Sequence, residues 1–162
     1  MIGIFSTRIL TVAIMGLALT ALATNEKGPA REVAQPLSID PVLDPPPAIA
    51  ALIRRSCGDC HSNATRWPWY GRIPPGSWML RNEIARARRA VDFSEWHTKN
   101  GRSSGIAIAT FAAACADVES GRMPRPPYLL LHPKARLQAQ DVARFCSWTR
   151  SETARVARPA KP

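Results

Sequence analysis

The chain carries the run Cys57-Gly58-Asp59-Cys60-His61, which decides what the rest of the sequence has to fold around. Two thiols three positions apart are followed at once by an imidazole, the pattern Cys-x-x-Cys-His. At this composition the pattern is expected about 0.002 times by chance. Cys57 and Cys60 can form thioethers with the two vinyl groups of a haem while His61 binds the iron as its proximal ligand. The motif therefore predicts one covalently attached haem c.

Three other roles are open to a Cys-x-x-Cys pair. A thioredoxin-like redox pair requires a βαβ context, and a zinc site requires a second pair of ligands. The sequence shows neither. A structural disulfide between Cys57 and Cys60 leaves His61 without a role. Haem attachment accounts for all three residues together.

The N-terminal segment has the pattern of an export signal. An apolar run follows Arg8 and closes on Ala21-Leu22-Ala23, which predicts a signal peptide over residues 1–23. The run is about fifteen residues long, whereas roughly 20 are needed to span a bilayer, and this favours cleavage. The alternative is an uncleaved helix that tethers the domain to the membrane. Either way, the expected location of the folded part is the periplasm.

Composition and charge narrow the class of protein. The 162 residues are 46% hydrophobic and 21% charged, which permits a packed core and excludes global disorder, collagen and a multi-span membrane protein. Lys and Arg number 22 against 12 Asp and Glu, a net charge of +10 that becomes +9 when the signal peptide leaves with Arg8. This excess favours acidic partners. Nucleic acid is not expected as a partner, because an exported protein is separated from the nucleic acid of the cell.

Proline and basic residues mark the boundaries of the folded part. Residues 24–44 contain Pro29, Pro36 and Pro41 and predict an extended linker. Residues 45–150 predict one haem-binding domain. Residues 151–162 mix Arg, Lys, Ala and Pro without an apolar period, which predicts a disordered basic tail.

Within residues 45–150 the apolar residues recur at helical spacing. The predicted helices carry the stripes Ile49-Leu52-Ile53-Cys57, Leu80-Ile84-Ala87-Val91, Ile108-Phe111-Cys115-Val118 and Val142-Phe145-Cys146-Thr149. Gly121 follows the third stripe and suits a left-handed C-terminal cap. No convincing alternating strand is present. The sequence therefore predicts an all-α, cytochrome c-like domain wrapped around one haem.

The second axial ligand of the iron decides between electron transfer and small-ligand binding. The candidates outside the signal peptide are Met79, Met123, His97 and His132. Met123 is preferred because it follows the third helix, lies 62 residues after His61 and precedes a run with three prolines that stiffens its loop. Met79 adjoins an apolar stripe and is more often a core residue. The two histidines are more often surface or hydrogen-bonding residues.

Aromatic and basic residues near the motif are candidates for the haem pocket. Trp67, Trp69 and Tyr70 offer flat side chains that could cover a porphyrin. A haem propionate could be bound by a guanidinium group from Arg66, Arg72 or Arg122. For each of these side chains a core or solvated position is the alternative.

The two remaining cysteines, Cys115 and Cys146, lie on the apolar stripes of separate predicted helices. In an exported protein they are expected to form a disulfide. Two buried free thiols are the alternative.

The chain from Cys57 to Trp148 resembles the haem-binding domain family of bacterial exported c-type cytochromes. The resemblance rests on Cys57-Gly-Asp-Cys60-His61-Ser-Asn63-Ala-Thr65-Arg-Trp67-Pro68-Trp69-Tyr70, Ser77-Trp78, Asn82-Glu83, Phe93-Ser94-Glu95-Trp96, Gly121-Arg-Met123-Pro124, Tyr128, His132-Pro133 and Trp148. It implies a helical fold, covalent haem and an electron carrier, and it also points to Met123 as the distal ligand. One departure is Gln138, where the family tends to place Ser or Thr as a helix cap.

These observations together predict an electron carrier with His61 and Met123 on the iron, and no enzymatic activity. Its expected partners are periplasmic redox proteins with acidic docking surfaces. A haem-based sensor or weak peroxidase with an open distal position is the alternative. A third hypothesis is that the protein is a haem-bearing structural subunit of a larger complex.

Overall fold

The computed structural model describes residues 11–16, 39 and 41–158. Every regular element in this part of the chain is helical and no strand occurs in it, so the all-α prediction is confirmed. The α-helices are α1 (residues 11–16), α2 (Pro47–Ser56), α3 (Gly58–His61), α4 (Gly76–Ala90), α5 (Trp96–Lys99), α6 (Ser104–Glu119), α7 (Pro126–Leu131) and α8 (Ala139–Ala157). Short 3-10 helices occur at Trp69–Arg72 and Pro133–Ala135.

The described residues divide into two compact units. The first unit contains residues 11–16 and 67–81, and the second unit contains residues 39, 41–66 and 82–158. The stretch 67–81, which the sequence places inside one domain of residues 45–150, clusters with the first unit. The predicted signal peptide and linker lie mostly outside the described residues. None of the helices in the described part combines the length and the hydropathy required to cross a membrane.

Helix α2 begins where the sequence predicts a first helix. Pro47 occupies the first turn, where its missing N–H costs nothing and its fixed φ suits a helix. Ile49, Leu52 and Ile53 are buried on one face, as the apolar spacing predicts. The helix ends at Ser56, and Cys57 follows as its C-cap, with its N–H donating to the Ile53 carbonyl at 2.9 Å. The chain then turns directly into α3, which holds the rest of the motif.

The core of the second unit is built around α6 and α8. Phe111 of α6 packs between Trp96 and Trp148, with ring centroids 4.7 and 5.7 Å away. Cys115 and Cys146 form the predicted disulfide, with their Cα atoms 5.1 Å apart. Both sulfur-bearing residues are buried, so the bond links the two helices inside the apolar core.

Helix α6 ends as the sequence predicts. Gly121 has φ +69°, in the left-handed region where a side chain would be strained, and no atom lies close to the position of a Cβ there. The residue therefore turns the chain out of the helix and into the segment that carries Met123.

The prediction of a disordered tail from Ser151 was wrong for residues 151–157, because α8 continues to Ala157. The tail lacks an apolar period, but Glu152 and Arg155 pair along the helix and Val156 packs against the core. Both contacts extend a helix that the core has already nucleated. At the other end, the Asp141 carboxylate accepts the Gln138 N–H at 3.1 Å, so Asp141 caps α8 where Gln138 departs from the family pattern.

Candidate functional site

The cysteines and histidine of the motif converge because α3 is a single tight turn. The N–H groups of Cys60 and His61 both donate to the Cys57 carbonyl, at 3.1 and 2.9 Å. Cys57 and His61 line two adjoining cavities of about 350 and 220 Å³, named here the large and the small cavity. Cys60 lines the small one. The structure therefore brings the three motif residues to a common site in the second unit.

The His61 imidazole is oriented by the backbone. Its Nδ1 lies 3.0 Å from the Val91 carbonyl oxygen, and a carbonyl can only accept, so Nδ1 carries the proton. The Nε2 lone pair is then left for a metal. Burial lowers the pKa of His61, since desolvation disfavours its charged form, and the backbone carbonyls of Val91 and Ala87 only partly oppose this. The imidazole is thus held neutral and in the tautomer that a metal ligand needs.

The motif thiols remain free while the other cysteine pair is oxidised. Burial raises the pKa of Cys57 to about 12 and that of Cys60 to about 11, so both are protonated at neutral pH. A reactive thiol redox pair requires the opposite shift. Among the described residues, the geometric cluster of metal-ligand types is Cys115, Glu119 and Cys146, and its two sulfurs are bonded to each other. The zinc and thioredoxin readings therefore find no support in this part of the chain.

The large cavity has mostly apolar walls. One face of α6 contributes Ala109, Ala113 and Ala114, whose small side chains leave room beside the helix, and Val91 and Phe93 line the cavity as well. Phe93 also contacts the His61 ring edge-on, with the centroids 6.4 Å apart. Apolar walls around the His61 imidazole and the Cys57 thiol, with the Cys60 thiol in the adjoining small cavity, are the surroundings and donors that a haem requires.

Met123 is the candidate distal ligand that the structure brings to this site. It is half-buried and lines both cavities together with His61. Its N–H donates to the Asp117 carbonyl at 3.0 Å, which fixes the backbone just after α6. The thioether of Met123 adds a soft sulfur donor to the site.

The other candidate ligands are placed differently. Met79 is 67% exposed and lies in the first unit. His97 is exposed on α5. His132 stacks on Tyr128 with ring centroids 4.2 Å apart. None of the three is among the residues that line the two cavities, so the preference for Met123 stands on position as well as on sequence.

The predicted aromatic wall lies in the first unit. Trp69 is 76% exposed and meets Tyr70 edge-on at 5.9 Å, while Trp67 contributes to the packing around Gly71. These contacts are internal to that unit. A role for Trp67, Trp69 and Tyr70 in covering a haem stays a prediction.

Two of the three arginines proposed for propionates are paired with carboxylates. Arg122 contacts Asp117 at 2.7 Å. Arg66 forms a fork on Asp59, with Nε and Nη2 at 3.0 and 3.2 Å from the two carboxylate oxygens. Arg72 lies in the first unit. Arg66 and Arg122 therefore neutralise acidic groups near the cavities, and no propionate contact follows from their placement.

Asp59 is a residue of the site whose role in linking the motif turn to other segments was not predicted from the sequence. It occupies a variable position of the motif, is buried, and accepts a hydrogen bond from Tyr128 Oη at 2.7 Å besides the Arg66 fork. Burial and the Asp59 charge raise the pKa of Tyr128, so the phenol stays protonated and donates. Arg125 pairs with Glu83 of α4. The segment after Met123 is thus tied both to the motif turn and to α4.

The helical fold and this donor set together define the class: a small all-α protein with a haem site. A family model described as a haem-binding domain matches residues 14–151, which is most of the chain. The protein belongs to this haem-binding domain family. No curated protein and no solved structure gives a significant match to the chain.

Proposed function

We propose that the protein is an exported c-type cytochrome that carries single electrons through one haem bound by His61 and Met123. The observation that carries this proposal is that Cys57, His61 and Met123 line both of the adjoining cavities and that Cys60 lines the small one beside them. An imidazole and a thioether are a ligand pair typical of electron-transfer haems.

The chain's own residues have distinct tasks in this proposal. Cys57 and Cys60 would hold the haem through thioethers, each formed by adding S–H across a vinyl double bond, so that no oxidant and no leaving group is required. Val91 keeps His61 in one tautomer. When bound, the haem supplies an iron that alternates between the ferric and ferrous states. The apolar walls keep water away from it, which limits reorganisation on electron transfer.

The same proposal places the protein in the periplasm and gives it acidic redox partners. Support comes from the signal-peptide pattern of residues 1–23 and from the mature net charge of +9. We expect association with such partners to weaken steeply as salt concentration rises. No enzymatic activity is part of this function.

The proposal is tested with the full chain, expressed in a host that matures c-type cytochromes. Intact mass should exceed that of the processed polypeptide by one haem, and haem staining should survive a denaturing gel. The ferric protein should show a near-infrared sulfur-to-iron transition. Met123→Ala should abolish this band, whereas Met79→Ala, a matched change at an exposed methionine, should leave it intact.

Two outcomes would overturn the proposal. Bare polypeptide mass would refute covalent attachment. A high-spin wild type whose ferric form binds cyanide rapidly and whose ferrous form binds carbon monoxide rapidly, with no change in Met123→Ala, would favour the sensor or peroxidase instead.

A further inference from the structure

The carbonyl that orients His61 is one end of a peptide group whose other end is also bound. The acceptor of His61 Nδ1–H is the Val91 oxygen, at 3.0 Å. The N–H of the same peptide belongs to Asp92 and donates to Asn100 Oδ1 at 2.9 Å. One hydrogen-bond chain therefore runs from the imidazole through a single peptide group to the Asn100 side chain.

Asn100 is built to hold this peptide. It is 5% exposed, and its Nδ2 donates to the Ala90 carbonyl at 2.9 Å. The orientation of the amide follows from its partners, because Asp92 offers a donor and Ala90 an acceptor. Both ends of the side chain thus grip the residues on either side of Val91. Its own N–H donates to the Trp96 carbonyl at 2.9 Å, which anchors it at the end of α5.

We propose that Asn100 is a positioning residue for the axial histidine: it fixes the Val91–Asp92 peptide and polarises it toward His61. The inference rests on the proposed function, since it concerns a haem ligated by His61. An acceptor on a peptide N–H makes the carbonyl of that peptide more negative, so hydrogen bonds in a chain strengthen one another. A more negative Val91 oxygen draws Nδ1–H closer and makes the imidazole a stronger electron donor.

The effect on the reduction potential of the haem has a definite direction. A more electron-rich imidazole stabilises the ferric state relative to the ferrous state, which lowers the reduction potential. Loss of the Asn100 acceptor should therefore raise the potential. The bonds in the chain are all neutral, so no formal charge changes when Asn100 is replaced by an apolar residue.

The test compares Asn100→Leu with Ser94→Ala in the haem-loaded full chain. Leu keeps the approximate volume of the amide but removes both of its hydrogen bonds. Ser94 lies in the loop that carries the Val91–Asp92 peptide. Its Oγ donates to Asn63 Oδ1 at 2.8 Å and accepts the Asn63 N–H at 3.1 Å, and it does not bond the Val91–Asp92 peptide. Asn100→Leu should raise the reduction potential and weaken the hydrogen bond from His61 Nδ1–H to the Val91 carbonyl, as seen by NMR. Ser94→Ala should leave the potential at the wild-type value.

An Asn100→Leu protein that carries haem at the wild-type potential would refute the inference, as would a Ser94→Ala shift of equal size, which indicates mere loosening of the loop. If Asn100→Leu yields no folded protein, amide exchange in the wild type decides. The Asn100 carboxamide should exchange far more slowly than that of exposed Asn82; equal rates would refute it. A wild type without haem would refute the proposed function instead.

Discussion

Removing the Cys115–Cys146 disulfide should destabilise the protein mainly through its unfolded state. The bond joins α6 to α8 across a sequence separation of 31. The double variant Cys115→Ala/Cys146→Ala removes it while keeping two small apolar residues at buried positions. Met123 lies within the closed loop, so the same change tests whether the site depends on this link.

The size of the effect follows from the length of the loop. In the chain-entropy model, a cross-link over 31 residues restricts the unfolded chain by an amount worth about 3.7 kcal/mol at 25 °C. This is a large part of the roughly 5–15 kcal/mol by which small domains are stable. The unfolded chain also becomes more extended without the bond, so its dependence on denaturant should steepen.

The assay is urea unfolding of the haem-loaded protein, followed by circular dichroism. The expected result is a free energy of unfolding lower by about 3–4 kcal/mol, together with a larger m value. Wild type treated with a thiol reductant provides the control and should unfold like the double variant, because thioethers resist such reductants. A loss below about 1 kcal/mol with an unchanged m value would refute this account of the bond.

Two further perturbations test the ties around the motif turn and the start of α8. Tyr128→Phe should lower the free energy of unfolding by about 2 kcal/mol, because it removes a charge-assisted hydrogen bond to buried Asp59, and a loss no greater than that of an exposed substitution would contradict this. Asp141→Asn should cost about 1 kcal/mol at neutral pH. The Gln138 N–H and Arg55 lower the pKa of Asp141, so the wild-type advantage should be complete above pH of about 4 and vanish as pH falls through the folded pKa. If the difference in free energy of unfolding between wild type and Asp141→Asn does not change with pH, the role assigned to the Asp141 charge is refuted.

Local sequence patterns were enough to predict a large part of this structure. The motif at Cys57 needs only five consecutive residues to predict a haem site, and the turn of α3 that presents it is also local. Helices α2 and α6 follow from apolar spacing, proline at the first turn and the left-handed Gly121. These features are readable because each depends on residues within one or two helical turns.

Other features were beyond the reach of local pattern. The short helices α5 and α7 lack an extended period: α5 is held by its buried Trp96, and α7 begins with prolines in its first turn. The length of α8 beyond Ser151 depends on a helix already nucleated by core packing. The disulfide, by contrast, was predicted from the sequence, because the motif uses two of the four cysteines and the other two lie on apolar stripes.

From the order of residues alone came the haem motif, the helical class and the preference for Met123. The folded chain alone shows that Val91 orients His61 from 30 positions away, and that Tyr128 bonds Asp59 across 69. Contacts at such separations leave no periodic trace in the sequence, because they form only when packing of the whole core brings the elements together. For that reason candidate ligands could be proposed from the sequence, whereas the residues that hold them in place could not.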